Sequence, residues 1–593
     1  MKRYRIIFLL AASLSFAVTG CNKLMDRSPL NQITSAAVWQ DVNLMQAYIN
    51  NVYIGLGLGM FNSTSGLSDL CDESVWTNGA QPIVQSTITS TALDVLGGTR
   101  FNYLEWKPLY QYIRQCNMFL VNTENSDIQE QDQLQRMRGE AYFLRAWYYQ
   151  NLMRSYGGVP LITKVYGLED STAVARGTFA QTIVFIVKNC DSAAALLPAS
   201  YDDADVGRAT QGAALALKAR VLLYAASDLY NINPSGMPET GYTNASASDR
   251  QTRWQAAKDA AKAVIDLNRY HLYEADPAPG DSTAENYANL FLSKTNEEVI
   301  FNRFTSVDNG APNVGEWFNP NGYDGWGENS PIQQMVDAYE MKDGSKFNWK
   351  DPSEAAHPFE NRDPRFYATI LFDGAKWRKR YPDGESFDPE GIVQAFRTLT
   401  LPDGSTLPGI DTRNGPIQNW NGSYSNYYLR KFADPDNDFL SASQEIPWVF
   451  MRYAEVLLNY AEACIHLGQD AEARDALNQI RQRAGMPAFS TSLSGQALLE
   501  EYRNERRIEL AFECQRYFDI RRWMIAPQVM SEDAKGIEIF VKGTNRADRS
   551  TYHDYQYNVI DIQKRHWDDK MYFTPIQFDE MNRNPDLVQN PGF

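Results

Sequence analysis

Apolar residues recur at helical spacing in two separate parts of the chain. Residues 135–156 carry two such stripes, which predicts a helix packed against neighbours on most of its sides. Gly157 and Pro160 follow this run and predict the end of the helix. Two more helices are predicted downstream, one capped by Thr210 and one that begins near Trp254. Their apolar faces are Ala214, Leu217, Val221 and Tyr224, and Ala257, Ala261, Val264 and Ile265.

The same pattern returns in the C-terminal half. A helical face is predicted over residues 450–464, broken at Gly468, and a returning helix over residues 471–484 stops at Gly485. Small residues at facing positions let the two helices approach closely, and such antiparallel pairs resemble tetratricopeptide repeats. We therefore predict a mainly α-helical fold whose scaffold contains about four helix pairs.

Two stretches, residues 274–330 and 343–447, show little periodicity and are crowded with Gly, Pro, Asn and Asp. Loops of this length inside a compact domain are usually functional. We expect the helices to support these loop insertions and the loops to carry the ligand site.

The N-terminus has the pattern of a bacterial lipoprotein signal. Basic residues precede an apolar run, residues 6–17, which is too short to span a bilayer. Gly20 followed by Cys21 resembles the lipobox, in which the cysteine is acylated and the chain is cut before it. The alternative is an ordinary secretory signal with an incidental cysteine. We predict a signal peptide over residues 1–20 and lipid attachment at Cys21.

Charge and cysteine usage narrow the possible partners. The net charge is −17, and a field of that sign repels nucleic acid and leaves neutral ligands as the easier partners. Five cysteines remain after Cys21, an odd number without a CxxC pair, and the five histidines have no ligand spacing. We expect no disulfide framework, no metal site and no cofactor.

A dense run of charges lies near the C-terminal end. Glu505, Glu509 and Glu513 fall on one helical face and arginines alternate with them. A catalytic or anion-binding site is one interpretation, but we predict an ion-pair network that locks helices together. The chain has no nucleophile elbow and no phosphate loop, whereas a pair of catalytic carboxylates brought together by folding stays open.

Aromatic residues in polar loops are the candidate ligand contacts. Sugar rings stack on tryptophan or tyrosine while Asp, Asn and Arg bind their hydroxyl groups. The predicted binding residues are Asp72, Trp76, Asn78, Trp317, Tyr323 and Trp326. Trp420 and Tyr424 in the second insertion are further candidates. The alternative is that each tryptophan packs beneath its own loop as a small satellite core.

An ordered set of segments over the whole chain resembles the SusD/RagB-like outer-membrane lipoproteins of Bacteroidetes nutrient-uptake systems. No single segment would suffice, but their order from the lipobox to the last residue is specific. The segments include Trp39-Gln40-Asp41, Arg138-Gly139-Glu140-Ala141-Tyr142, Tyr156-Gly157-Gly158-Val159-Pro160, Gly207-Arg208-Ala209-Thr210, Met451-Arg452-Tyr453-Ala454-Glu455, Glu505-Arg506-Arg507-Ile508-Glu509, Arg516-Tyr517-Phe518-Asp519 and Gln589-Asn590-Pro591-Gly592-Phe593.

The resemblance implies a lipoprotein on the outer membrane that faces the cell exterior and caps a SusC-like TonB-dependent transporter. Such proteins bind oligosaccharide, less often peptide, and deliver it without cleavage. It further implies an N-terminal helical region over residues 21–273 and a C-terminal region with the loop insertions over residues 274–593, intertwined in one globular unit.

Three functions stay open from the sequence alone. The first is non-catalytic glycan binding for import, with a peptide-binding relative as a variant. The second is a lipid-anchored glycan hydrolase, and the third is an adaptor that holds proteins on its helix pairs. The absence of an arranged catalytic pair favours the first over the second, and the aromatic loops favour it over the third.

Overall fold

The computed structural model describes residues 35–57, 66–76, 82–93, 104–167, 169–171, 173–232, 246–306 and 312–593. The fold is mainly α-helical, as predicted. Its long helices are α1 (Val42–Tyr53), α2 (Trp106–Asn122), α3 (Gln131–Tyr156), α4 (Phe179–Leu196), α5 (Gln211–Ala226), α6 (Ala247–Ile265), α7 (Tyr453–His466), α8 (Asp470–Arg483) and α9 (Gly495–Glu509). Within these ranges, no helix is long and apolar enough to cross a membrane.

Helices α2 to α9 form a continuous array in which each helix packs on the next. The array corresponds to four helix pairs, which confirms the predicted tetratricopeptide-like scaffold. A long insertion separates α6 from α7, so residues 266–452 leave the array between two packed helices and return to it. The insertion is therefore anchored at both ends by neighbouring helices.

Local capping chemistry sets the helix ends. Gly157 ends α3 as predicted, with φ 80° and its N–H donating to the Met153 carbonyl. Helix α6 begins at Ala247 rather than near Trp254, because Ser246 and Asp249 form a capping box there. The prediction for Phe450 was also wrong, since this residue lies in a strand that leads into α7.

Shorter helices and strands occupy the insertion and the C-terminal part. The short α-helices are Ser35–Val38, Glu285–Leu290, Val314–Phe318, Gln333–Ala338, Pro352–Ala356, Pro364–Thr369, Pro382–Glu385, Arg516–Arg522, Ala526–Met530 and Phe578–Arg583. The strands are β1 (Ser74–Val75), β2 (Val299–Arg303), β3 (Ser330–Pro331), β4 (Ile370–Leu371), β5 (Thr398–Thr400), β6 (Thr406–Leu407), β7 (Tyr428–Leu429), β8 (Trp448–Arg452), β9 (Ala534–Lys542) and β10 (His553–Gln563).

The strands form one four-stranded sheet and three two-stranded ones. The larger sheet has the order β10-β9-β5-β6, with β5 and β9 parallel and the other pairs antiparallel. The small sheets pair β1 with β3, β2 with β8 and β4 with β7, each antiparallel. Pairs β1–β3 and β2–β8 each join segments that are far apart in sequence.

Two main hydrophobic cores result. The larger core joins α1–α6 with α7–α9 and includes C-terminal residues such as Phe573 and Ile576. The second core lies within the insertion and takes in β9, with Phe318, Tyr339 and Phe366 among its members. The C-terminal helices thus complete the scaffold, whereas β9 and β10 complete the loop-rich half.

The charged run at the end of α9 joins these two halves. Glu509 is buried and ion-paired with Arg365 of the insertion (3.0 Å) and with Arg452 of β8 (2.6 Å). Glu505 pairs with Arg365 (2.6 Å) and with Arg481 of α8 (2.9 Å). These contacts confirm the structural interpretation of the run, because its carboxylates are already occupied by buried guanidinium groups.

Candidate functional site

Strand pairing brings the two predicted tryptophan clusters together. β1 and β3 are antiparallel, with Ser74 opposite Pro331 and Val75 opposite Ser330. Trp76 follows β1 directly, and Trp326 lies a few residues before β3. The first loop insertion and the segment after β1 therefore meet at one edge of this small sheet.

Backbone hydrogen bonds hold the tryptophans of the first insertion. The Trp326 N–H donates to the Glu316 carbonyl (2.7 Å), and the Glu328 N–H donates to the Trp317 carbonyl (2.8 Å). The loop thus closes on itself between its two tryptophans. Trp76, Trp317 and Trp326 are all half-buried, so each has part of its ring against the protein and part in solvent.

The second loop insertion (residues 343–447) docks on the first (residues 274–330) through buried polar contacts. Asn321 is fully buried, and its amide donates to the carbonyls of Ile410, Thr412 and Ile417 at 3.2, 3.2 and 2.7 Å. The Tyr428 hydroxyl donates to the side-chain oxygen of Asn321 (2.9 Å). One asparagine of the first insertion therefore satisfies four polar groups of the second insertion and fixes the relative position of the two loops.

The two insertions also touch at their surface. The Gln418 side-chain amide donates to Asp324 (2.8 Å). A Cβ added to Gly327 would lie 2.7 Å from the Asn421 carbonyl oxygen, so only glycine permits this approach. Because Asn421 follows Trp420 and Gly327 follows Trp326, these two tryptophans lie on adjacent stretches of backbone.

Trp420 is the most exposed aromatic side chain of this region. Its exposed fraction is 65%, and the other twelve tryptophans, all in described residues, are buried or half-buried. Tyr424 is 42% exposed, and the Arg413 guanidinium lies over its ring at 4.1 Å. We define the aromatic surface as the side chains of Trp76, Trp317, Trp326, Trp420 and Tyr424.

Asp72 is engaged inside the protein. Its carboxylate accepts two hydrogen bonds from Arg516 (2.8 and 2.7 Å) and pairs with Arg507 (3.0 Å). Burial alone would raise the pKa of Asp72, but Arg507 and Arg516 outweigh it and hold the pKa below its ordinary value. The carboxylate is therefore charged and already paired, and it fixes the segment that leads to Trp76.

Tyr323 is buried where the first insertion packs on the second, in a small core with Leu371 and Tyr428. Its ring lies 3.8 Å from the Arg380 guanidinium and has no solvent exposure. Burial raises the pKa of its hydroxyl well above the ordinary value. In this position Tyr323 helps to hold the two insertions together. Asn78 and Cys21, the remaining predicted site residues, lie outside the described residues.

One carboxyl group at the aromatic surface differs from an ordinary exposed aspartate. Burial raises the pKa of Asp324, and the negative charge of Asp383 adds to this effect. No group of three or more His, Cys, Asp or Glu side chains in the described ranges could hold a metal ion. The available chemistry is thus ring stacking together with hydrogen bonding by Asp324, Gln418 and Asn421.

The sequence missed the polar residues that position this surface. Asn321 lies in the candidate segment 321–326 but was not predicted as a positioning residue, and Gln418 was not named, because an isolated amide in a loop carries no local signal of its partner. The usable signal was the short segment Asn419-Trp420-Asn421-Gly422, in which a large apolar residue stands among turn-forming polar residues. A tryptophan in such a context has little local apolar surface to pack against.

This protein belongs to the class in which a scaffold of helix pairs supports an aromatic surface on loops. Comparison of its sequence with known families identifies the family. The profile of the SusD family matches residues 289–593. A second profile, described as "Starch-binding associating with outer membrane", matches residues 24–223. The chain belongs to the SusD family.

Curated and solved relatives agree with this assignment. A SusD-like protein of Formosa agariphila is 22% identical, over 88% of this chain and 90% of the relative. A SusD-like protein of Bacteroides fragilis with a solved structure is 29% identical, with a TM-score of 0.73 over 96% of this chain and 100% of that one. A surface glycan-binding protein of Bacteroides uniformis is 18% identical, with a TM-score of 0.59 over 93% of this chain and 99% of that one.

Proposed function

We propose that this protein binds oligosaccharide at the cell surface through the aromatic surface and does not cleave it. The observation that carries the proposal is the 65% exposure of Trp420 on a rigid polar loop beside Trp326. Exposing a tryptophan ring to water costs free energy, and a pyranose face is a fitting apolar cover for it. Relatives described as carbohydrate-binding or glycan-binding proteins support the same ligand class.

The geometry suits an extended chain of sugars better than a single residue. The tryptophans lie on separate backbone stretches joined by β1–β3 and by the docking of the two insertions. Rings on separate stretches of backbone offer more than one stacking position, and the exposed Asn419 amide beside Trp420 offers hydrogen bonds to hydroxyl groups. The peptide-binding alternative predicts instead that the ligand contacts are mainly to backbone amides.

The proposed setting is the outer membrane, with the chain attached through Cys21 and facing the exterior. A SusC-like transporter is the proposed recipient of the bound glycan. The lipobox at Gly20-Cys21, the family membership and the family description that mentions outer-membrane association support this setting. Binding without cleavage would let the transporter receive the oligosaccharide intact.

A glycan hydrolase is the second candidate, and Asp324 is the reason to test it. A carboxyl group with a raised pKa beside a second acid is the arrangement that glycosidases use for their general acid. In this chain Asp324 also accepts a hydrogen bond from Gln418, and it serves the contact between the two insertions. We assign it to this structural contact.

The test is a panel of plant, algal and host oligosaccharides and peptides titrated into the purified protein by calorimetry. Each mixture is then analysed by chromatography for new products. We expect binding of oligosaccharide with the starting length retained after prolonged incubation. Products that accumulate in proportion to the protein, and that disappear with Asp324→Asn, would support the hydrolase. Binding of peptides alone would establish the peptide-binding alternative.

A further inference from the structure

A cleft opens beside the aromatic surface, between the second insertion and the four-stranded sheet. Its volume is about 300 Å³, at the lower end of the range for small-molecule sites. Tyr424 and Ser423 form one wall, and β9 and β10 contribute the opposite side through residues such as Glu538 and Ile560. Tyr424 thus belongs both to the aromatic surface and to this cleft.

Arg413 presents a positive charge into the cleft. Its guanidinium donates to the Gly422 carbonyl (2.9 Å) and lies over the Tyr424 ring at 4.1 Å, so its position is fixed from two sides. It forms no salt bridge with any carboxylate in the part of the chain that the structure describes. Several other described arginines also lack a salt bridge, but Arg413 lines this cleft with its guanidinium fixed beside the Tyr424 ring.

The other charges around the cleft already have partners. Arg397 pairs with Glu538 across the cleft floor, and Asp561 interacts with Lys535 on the neighbouring strand. Asp561 also forms no salt bridge among the described residues, but it is exposed and lies opposite Lys535 in the β9–β10 pairing, which leaves Arg413 as the cation of the cleft without a carboxylate partner. The Asn414 side chain beside it is exposed and can bind hydroxyl groups.

We infer that Arg413 binds an oxyanion on the glycan, the carboxylate of a uronic acid or a sulfate ester. The inference rests on the proposed function, because it adds an acidic subsite to the same aromatic surface. A planar guanidinium matches either oxyanion with two parallel hydrogen bonds. This inference refines the expectation that neutral ligands are the easier partners of a negatively charged protein. The whole molecule repels anions at long range, whereas the Arg413 guanidinium attracts an oxyanion at short range.

The test pairs each acidic oligosaccharide with its neutral counterpart. Uronate-bearing oligosaccharides are titrated beside their carboxyl-reduced derivatives, and sulfated ones beside their desulfated derivatives, by calorimetry on the full mature chain. We expect one acidic series to bind about 10- to 100-fold more tightly than its neutral counterpart, and the series that does so identifies the oxyanion. Equal affinity within both pairs would overturn the inference and leave the proposed function intact.

Substitution assigns the effect to the residue. Arg413→Gln should remove the difference in affinity between acidic and neutral ligands, whatever its effect on the affinity for neutral ones through the Tyr424 contact, whereas Arg413→Lys should keep part of the difference. Arg583→Gln, which removes a 61% exposed arginine paired with Glu580, is the matched control and should change neither affinity. Melting curves verify that each variant is folded. A preference for acidic ligands that persists in Arg413→Gln would also overturn the inference, and failure of every oligosaccharide to bind would reject the proposed function itself.

Discussion

Glu462 is a buried carboxylate with a complete set of donors. Arg522 donates to both of its oxygens (2.7 and 2.8 Å), and the Tyr502 hydroxyl and the Trp523 ring N–H each donate at 2.6 Å. Burial would raise the pKa of Glu462, but Arg522 outweighs it and lowers the pKa to about 2. The folded state therefore prefers this group charged.

This arrangement predicts a specific loss of stability in acid. The pKa in the folded state lies below the ordinary value, so the contribution is present above about pH 4.5 and is lost as the pH falls towards 2. Between pH 5 and pH 2, the unfolding free energy of wild type, measured with denaturant, should fall by about 3 kcal/mol more than that of Glu462→Gln, because the glutamine side chain cannot titrate. Glu360→Gln, at an exposed site, is the control. An equally steep decline in Glu462→Gln would contradict this account.

At the residue scale, sequence predicts burial better than it predicts partners. The stripes of α3 and α5 identified core residues such as Leu144 and Leu217, because helical periodicity is local. The three donors around Glu462 come from residues 40 to 61 positions further along the chain. A composition rich in Arg and Glu predicts pairing in general, but folding alone decides which pairs form.

At the scale of elements, the two insertions act as one interlocked unit. Gly327 has φ 58°, and an added Cβ would meet the Asn421 carbonyl at 2.7 Å and the Tyr428 ring at 2.8 Å. The loop that carries Trp326 therefore fits the loop that carries Trp420 only if this residue lacks a side chain. Their separation is set by backbone contact, which makes the aromatic surface rigid before any ligand arrives.

Gly327→Ala should disturb this contact. We expect a loss of about 1–3 kcal/mol in unfolding free energy from strain and overpacking, together with weaker oligosaccharide binding. Gly404→Ala is the matched control, because Gly404 also has a positive φ (83°) but its added Cβ would meet nothing within 4 Å. Gly404→Ala should lower the unfolding free energy only through the strain of a positive φ, and it should leave binding unchanged. Equal affinity in both variants would show that the loop contact does not shape the site.

At the scale of the whole molecule, the scaffold was predictable and the loop-rich half was not. Helix pairs are predictable because each helix produces a local pattern of apolar residues. The helical array contains four pairs, and about four were predicted. The insertion is held by two-residue strands such as β1 and β3, whose partners lie about 250 residues apart. Strands this short carry no usable periodicity, so the sequence could name candidate tryptophans without showing that the segments that carry Trp76 and Trp326 lie side by side.

The attachment of the whole molecule to a membrane is predicted to depend on one residue. Cys21→Ala should move the protein from the membrane fraction to the soluble fraction of cells, because acyl chains on that cysteine are the proposed anchor. Fractionation followed by a salt wash and immunoblotting measures this. A Cys21→Ala protein that stays in washed membranes would contradict the lipoprotein assignment.

Calorimetric titration of Trp420→Ala is the decisive test of glycan binding by the aromatic surface. We expect a loss of about 1–3 kcal/mol in binding free energy, by analogy with the stacking of bases on aromatic rings. The melting temperature should stay close to that of wild type, because a side chain that is 65% exposed leaves no cavity when removed. Trp76→Ala and Trp326→Ala should weaken binding similarly but also lower stability, since both rings are half-buried.

Phe578→Ala is the control for this titration, because Phe578 is 50% exposed on a C-terminal helix outside the insertions. It should leave the affinity unchanged. Trp420→Ala should weaken binding at an unaltered melting temperature. Wild-type affinity in Trp420→Ala, with a ligand that wild type binds, would contradict it.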